Sequence, residues 1–196
     1  MEPRATAGRN GGPGTVNAGR FSTTPTPEMT GHTETKPMHV PATGSAHFGA
    51  LVGRLLLAQI FLMAGVGKAM DFVGTQGQMT QAFQRAIDWY PCPSGLAQPT
   101  LAAIPWLAGI AVAVELSAGL GLVLGWFTRC SAAALFLFLI PATVIFHGFW
   151  MFEDAERQMQ MINFMKNLAI MGGLSTLMSL GPGRISVDAK QCPACV

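Results

Sequence analysis

Two ionisable residues, Glu115 and His147, lie inside long apolar runs of this sequence. The runs fill the stretch from Leu101 to Trp150, where a tight GWFTRC junction separates them. Each run exceeds the roughly 20 residues that cross a hydrocarbon core as an α-helix. An unpaired carboxylate at mid-membrane costs at least ~2.5 kcal/mol on insertion scales. We therefore expect Glu115 to face other helices, where it is paired with a cation or protonated.

The depth of each polar residue predicts a partner for Glu115. With the rise of an α-helix, Glu115 lies about 18 Å from the helix end at Phe127, and Lys166 lies about 21 Å from the helix end at Leu180. We therefore predict a Glu115–Lys166 pair, with Asn167 in the same layer. Two interpretations of this pair stay open: a functional proton or ligand site, and a structural ion pair that fixes helix register.

A second polar layer lies nearer the opposite side of the membrane. The same calculation places three residues about 26 to 27 Å from the membrane side at which Phe127 and Leu180 lie: Lys68, His147 and Asn163. An error of two residues at a helix boundary moves each depth by about 3 Å, so the two layers are close enough to merge into one polar cavity. In that cavity His147 is a candidate proton acceptor or hydrogen-bond donor to a quinone; the alternative is an ordinary structural hydrogen bond.

The composition and the apolar runs predict an all-α membrane protein, a bundle of four transmembrane helices. Half of the 196 residues are apolar, 11% are charged and the mean hydropathy is +0.38, so the solvent for much of the surface must be lipid. The predicted helices span about residues 50–70, 101–127, 131–152 and 159–180. Arg54, near the start of the first helix, is expected to reach the headgroups. Residues 72–89 are predicted to form an amphipathic helix on the membrane surface.

Both ends of the chain differ from this membrane domain, which covers residues 50–188. About half of residues 1–46 are Pro, Gly, Ser or Thr and no apolar period appears, so we predict a disordered tail. Residues 189–196 form a second, short tail. Basic residues concentrate in the tails and the GWFTRC turn, so the positive-inside rule places both termini in the cytoplasm.

The remaining motifs predict no bound metal, nucleotide or nucleic acid. Cys192 and Cys195 form a C-x-x-C at the C-terminus, which can be a dithiol, half of a metal site or an incidental part of a flexible tail. No second C-x-x-C completes a zinc site, and no nucleotide-binding fingerprint occurs. The net charge of +2 is too small, and its basic residues too scattered, to suggest nucleic acid.

Three segments of the sequence carry a family resemblance: RLLLAQIFLMAGVGKAMDF, VELSAGLGLVLGWFTR and KNLAIMGGLSTLMSLGPGRISVD. In this order and spacing, residues 50–188 resemble the DoxX family of small bacterial inner-membrane proteins. The resemblance implies four membrane helices, cytoplasmic termini, and a relationship to a subunit of thiosulfate:quinone oxidoreductase and to partners of membrane-associated oxidoreductases. It does not fix one activity, because some members accompany peptide-modification operons concerned with copper.

Our leading hypothesis is a membrane subunit of a redox-linked complex, whose polar cavity binds a quinone headgroup or relays its protons. Electrons would come from a soluble oxidoreductase partner. We assign catalytic roles to Glu115, His147 and Lys166, and ligand-binding roles to Lys68, Asn163 and Asn167. The alternative is a non-catalytic scaffold or small-solute transporter in which the buried charges only hold helices together. The oligomeric state stays open, with a homo-oligomer as one alternative.

Overall fold

The computed structural model describes residues 44–90 and 94–191, and every regular element within them is a helix. The all-α prediction is therefore confirmed for this part of the chain. The predicted tail up to residue 43, Cys92 and the CPAC ending lie outside the described residues. The elements are α1 Gly44–Met70, α2 Phe72–Trp89, α3 Ser94–Ala102, α4 Ile104–Leu124, α5 Thr128–His147, a 3-10 helix Phe149–Met151, α6 Asp154–Leu180 and α7 Val187–Gln191.

Four long helices, α1, α4, α5 and α6, pack as an antiparallel bundle. Contacts run from α1 to α4, from α4 to α5 and from α5 to α6, and α6 closes the ring against α1. The shared core consists of aliphatic and aromatic side chains from all four helices, among them Ala58, Phe61, Leu122, Leu135 and Leu174. Helix α2 packs across α4 and α5 at one end of the bundle. We call this end of the bundle, where a cavity lies between the helices, the cavity end. The opposite end, where α4 connects to α5, is the turn end.

The buried side chains recur every three to four residues, as close helix packing requires. On α1 the buried stripe runs through Arg54, Ala58, Phe61 and Gly65. Gly65 lies directly against α4, where an added Cβ would come within 2.9 Å of the Leu116 side chain. Small residues at such positions let the backbones of two membrane helices approach closely.

Among the described helices, three are long and apolar enough to cross a membrane. They occupy His47–Met70, Ile104–Leu124 and Thr128–Met151. Large apolar side chains are exposed on their outer sides, including Met63 at 70% and Trp106 at 78%, a pattern that lipid contact explains. Helix α6 has 27 residues, enough to span a bilayer, but it is more polar than these three. A fourth crossing by α6 therefore stays a prediction.

Several predicted boundaries differ from the structure. Helix α1 begins at Gly44, inside the predicted tail, and α5 covers Thr128–His147 where residues 131–152 were predicted. The second predicted crossing is divided at Ala103 into α3 and α4, because Pro105 occupies the first turn of α4, where its missing N–H is tolerated. Residues 153–158 fall between the third and fourth predicted helices, but α6 already begins at Asp154. Asp154 and Glu156 lie in its first turn, and carboxylates favour the positive end of the helix dipole.

Helix α2 has the predicted extent, from Phe72 to Trp89. The Asp71 carboxylate caps its start by accepting a hydrogen bond from the Gly74 N–H at 2.9 Å. One face, with Thr75 and Met79, is buried within the protein. The helix therefore covers the cavity end of the bundle in addition to any contact with the membrane surface.

The turn end is closed by the segment that follows α6. The Asp188 carboxylate accepts hydrogen bonds from the backbone N–H groups of Phe127 and Thr128 at 2.8 and 2.9 Å. Arg54 is only 1% exposed and donates from Nη2 to the Ile185 carbonyl at 2.7 Å. The prediction that Arg54 reaches the headgroups is wrong, because this segment folds over the guanidinium and supplies a carbonyl and a nearby carboxylate.

Candidate functional site

An ion pair between α1 and α4 is the central feature of the candidate site. Lys68 Nζ lies 2.8 Å from both carboxylate oxygens of Glu115. Glu115 is 4% exposed, whereas the Lys68 side chain retains 31% of its accessible surface. Both residues continue the buried stripes of their helices, since Lys68 follows Gly65 by three positions and Glu115 follows Ala111 by four. The packing of α1 on α4 therefore forces the two charges to meet.

The predicted pairing of Glu115 with Lys166 is wrong. Lys166 is exposed on α6, and the neighbouring Asn167 faces the interior instead. Adjacent residues of a helix point about 100° apart, so only one of these two side chains can face the bundle. Depth along the helix contains no information on rotation about the helix axis, and the contact between Lys68 and Glu115 joins residues that were assigned to two different layers.

A partly open cavity of about 510 Å³ lies between the helices toward the cavity end. Helices α1, α2, α4, α5 and α6 all contribute to its wall, which is mostly apolar. Four of the predicted site residues line it together: Lys68, Glu115, His147 and Asn167. Asn163 is half-buried on α6 and, like Lys166, does not line this cavity. The roles assigned to all six residues stay predictions.

The imidazole of His147 is held at the end of α5 by a partner from α6. His147 Nδ1 lies 2.8 Å from Gln160 Oε1. Because an amide oxygen only accepts hydrogen bonds, Nδ1 carries the proton in this arrangement and Nε2 of the neutral ring is left as an acceptor. Gln160 was not predicted; its position within the polar first two turns of α6 gave no signal of its own.

Asn167 is oriented by a second residue that sequence reasoning missed. Its Nδ2 donates to the Thr143 hydroxyl at 3.0 Å, and Thr143 is 2% exposed. This contact fixes the amide and leaves its carbonyl oxygen available to the cavity. The signal that could have found Thr143 is its place on the buried stripe of α5, four residues after Leu139.

The cavity therefore combines a large apolar wall with a few fixed polar groups. An ammonium has three N–H donors, of which Glu115 engages two, so Lys68 retains one for a ligand acceptor. The 31% exposure of its side chain is consistent with access from the cavity. Among the described residues, no group of three or more His, Cys, Asp or Glu side chains is arranged to hold a metal ion.

Comparison with known proteins gives a consistent family match. The DoxX family model matches residues 49–148. The inner membrane protein YphA of Escherichia coli is 34% identical over 140 residues, which cover 71% of this chain and 88% of YphA. The inner membrane protein YqjF of the same organism is 27% identical over 140 residues, or 71% of this chain and 89% of YqjF.

A more distant match is a eukaryotic protein. The Surfeit locus protein 4 homolog of Schizosaccharomyces pombe is 33% identical over 90 residues, which cover 45% of this chain and 30% of that protein. No solved structure matches the chain significantly.

Proposed function

Because this chain belongs to the DoxX family of membrane proteins, we propose that it is an integral membrane subunit of a quinone-linked redox complex. In this proposal the interior cavity binds a quinone headgroup, and its polar residues handle the protons. The observation that carries the proposal is the Lys68–Glu115 pair in a largely apolar cavity that His147 and Asn167 also line.

The size and polarity of the cavity suit a small aromatic carbonyl compound. Its volume of about 510 Å³ lies within the range of about 300 to 1,000 Å³ typical of small-molecule sites. Apolar walls favour the ring, whereas the free N–H of Lys68 suits a carbonyl oxygen as acceptor. A hydrogen bond from a charged donor in such surroundings is stronger than one between neutral groups.

The same residues suit the transfer of protons. Reduction of a quinone to a quinol consumes two electrons and two protons, one proton for each carbonyl oxygen. The electrons come from a soluble oxidoreductase partner, which is oxidised in the same step. Lys68, as an ammonium, can donate one proton to a carbonyl oxygen and regain it from water, and Glu115 holds it in place. The second proton reaches the other oxygen from water through Nε2 of His147, which accepts and then releases it while Gln160 holds Nδ1.

Quinone binding to the purified protein tests this proposal. Lys68→Met removes the cavity's ammonium, and we expect the affinity for a short-chain benzoquinone to fall by at least about tenfold, the effect of losing one charged hydrogen bond. The matched control is Lys166→Met, the same substitution on an exposed face outside the cavity. Equilibrium binding in detergent, with thermal unfolding to verify the fold, gives the comparison.

Two further variants keep the test decisive if Lys68→Met is unstable. Glu115→Gln removes the negative charge that pairs with Lys68, and His147→Ala removes the imidazole from the cavity wall. We expect both to weaken quinone binding. Unchanged affinity in both variants, or an equal loss in the Lys166→Met control, would remove the proposed site.

A non-catalytic scaffold or small-solute transporter is the second candidate, favoured by the fact that both Glu115 oxygens are occupied by Lys68. If the pair only joins α1 to α4, a double change of Lys68→Met and Glu115→Leu keeps fold and phenotype, since a buried pair can often be replaced by apolar groups. Loss of phenotype in a normally inserted double variant would count against the structural role.

We further propose that the protein resides in a bacterial inner membrane with both termini in the cytoplasm. The names of YphA and YqjF place those relatives in the inner membrane, and the three apolar spans suit the same location here. In this arrangement α6 is the fourth crossing, and the turn end of the bundle faces the cytoplasm. The basic residues of the GWFTRC turn and the C-terminal segment support that orientation.

A further inference from the structure

One side chain belongs to both the interior cavity and a groove on the outside of the bundle. Ile110 of α4 is 59% exposed, yet it lines the interior cavity. It also lines an outer groove of about 470 Å³ between α4 and the start of α2. The groove is lined by Phe72, Pro105, Trp106, Gly109, Ile110 and Ala113. The two spaces are thus adjacent, and Ile110 stands at their boundary.

The outer groove is suited to an apolar chain. All of its lining residues are apolar or glycine, and it lies along an apolar membrane-spanning helix, where lipid chains would contact the protein. Gly109 leaves space at the base of the groove, because a Cβ added at this position would meet no atom within 4 Å. Trp106 stands at the cavity end of α4, a position where tryptophan favours the membrane interface.

We propose that this groove is the subsite for the apolar tail of the ligand whose headgroup occupies the interior cavity. The inference rests on the proposed quinone function and narrows its substrate class to quinones that carry a long hydrocarbon chain. The headgroup enters sideways from the lipid past Ile110 and reaches Lys68 and Glu115. The chain stays outside, along Gly109 and Ala113, so the ligand does not need to leave the membrane.

The test fills the groove without altering the cavity. Gly109→Leu places a side chain into the open floor of the groove, and Gly172→Leu is the matched control on α6, where an added Cβ also meets nothing within 4 Å. The probes are two benzoquinones with the same ring, one with a ten-carbon chain and one without a chain. We expect Gly109→Leu to weaken the long-chain probe by about tenfold, equivalent to losing contact with about two methylene groups.

The chainless probe separates this inference from the proposed function. Its affinity is expected to be the same in wild type, Gly109→Leu and Gly172→Leu, because the headgroup site is intact. If Gly109→Leu weakens both probes equally, or neither, the tail subsite is wrong although the cavity can still bind quinones. If wild type binds neither probe, the quinone function itself fails and the inference with it. If Gly109→Leu does not fold, Ala113→Leu replaces it, because Ala113 is exposed and lines the same groove. The same pair of affinities then supports or contradicts the tail subsite.

Discussion

Lys68 and Glu115 are the residues on which the chemistry of the cavity depends. Their contact joins α1 to α4 through both carboxylate oxygens at 2.8 Å, and Glu115 has almost no access to solvent. Removing one partner leaves the other charge without compensation in an apolar surrounding. Removing both leaves a contact between apolar side chains, which costs less.

A double-mutant cycle should show this asymmetry in stability. We expect Lys68→Met alone to lower the free energy of unfolding by about 2 kcal/mol, less than for a fully buried pair because the Lys68 side chain is 31% exposed. The double variant Lys68→Met, Glu115→Leu should recover most of that loss. Thermal or denaturant unfolding in detergent measures both, and a double variant less stable than Lys68→Met would contradict the account.

The partner of Glu115 could have been predicted from the phase of the helices. Arg54, Ala58, Phe61, Gly65 and Lys68 follow alternating steps of four and three residues, the spacing of a bundle-facing stripe. On α6 the corresponding stripe passes through Asn167 and excludes Lys166. Depth alone favoured Lys166, because the rise along the helices places it nearer than Lys68 to the level of Glu115. By contrast, Gln160 and the closing contacts of Asp188 depend on how separate segments meet, which no local pattern contains.

At the scale of elements, the close packing of α1 and α4 sets the geometry of the site. Gly65 lies one turn before Lys68 and directly against Leu116 and the Glu115 Cβ. Any side chain there must push α1 away from α4 or displace Leu116. Such a movement also separates the ion pair, so the site depends on the absence of a side chain at this position.

Gly65→Val should therefore destabilise the protein, whereas Gly67→Val should not. We expect a loss of about 1 to 3 kcal/mol for Gly65→Val through overpacking. Gly67 lies on the same helix, is exposed and would have nothing within 4 Å of an added Cβ, so it controls for the helix propensity of valine. Unfolding temperatures in the same detergent provide the comparison; equal losses for both variants would show that α1–α4 contact is not the cause.

For the whole molecule, the position of α6 determines how many times the chain crosses the membrane. The three apolar helices were predictable because continuous apolar runs signal a membrane span directly. Helix α6 lacks such a run, since its charged first turns, Asn163 and Lys166 lower its hydropathy. Its packing against α5 and α1 places it in the bundle, but packing alone does not define the surrounding solvent.

Reporter fusions can count the crossings. With four crossings, a fluorescent protein that matures only in the cytoplasm should fluoresce when fused to either terminus in Escherichia coli. A phosphatase that is active only in the periplasm, fused after Met151 and so after three crossings, should instead be active. Reporters at the two ends of the full chain on opposite sides of the membrane would mean three crossings and would exclude α6 from the bilayer.

The location of a bound quinone tests the central claim most directly. A photoreactive quinone analogue is cross-linked to the protein in a lipid bilayer, and the modified peptides are identified by mass spectrometry. We predict adducts on the cavity-lining segments around Lys68, Phe83 and His147, which an excess of unmodified quinone suppresses. Adducts confined to outward-facing segments such as the one around Lys166, or adducts that competitor quinone does not reduce, would contradict a quinone site inside this bundle.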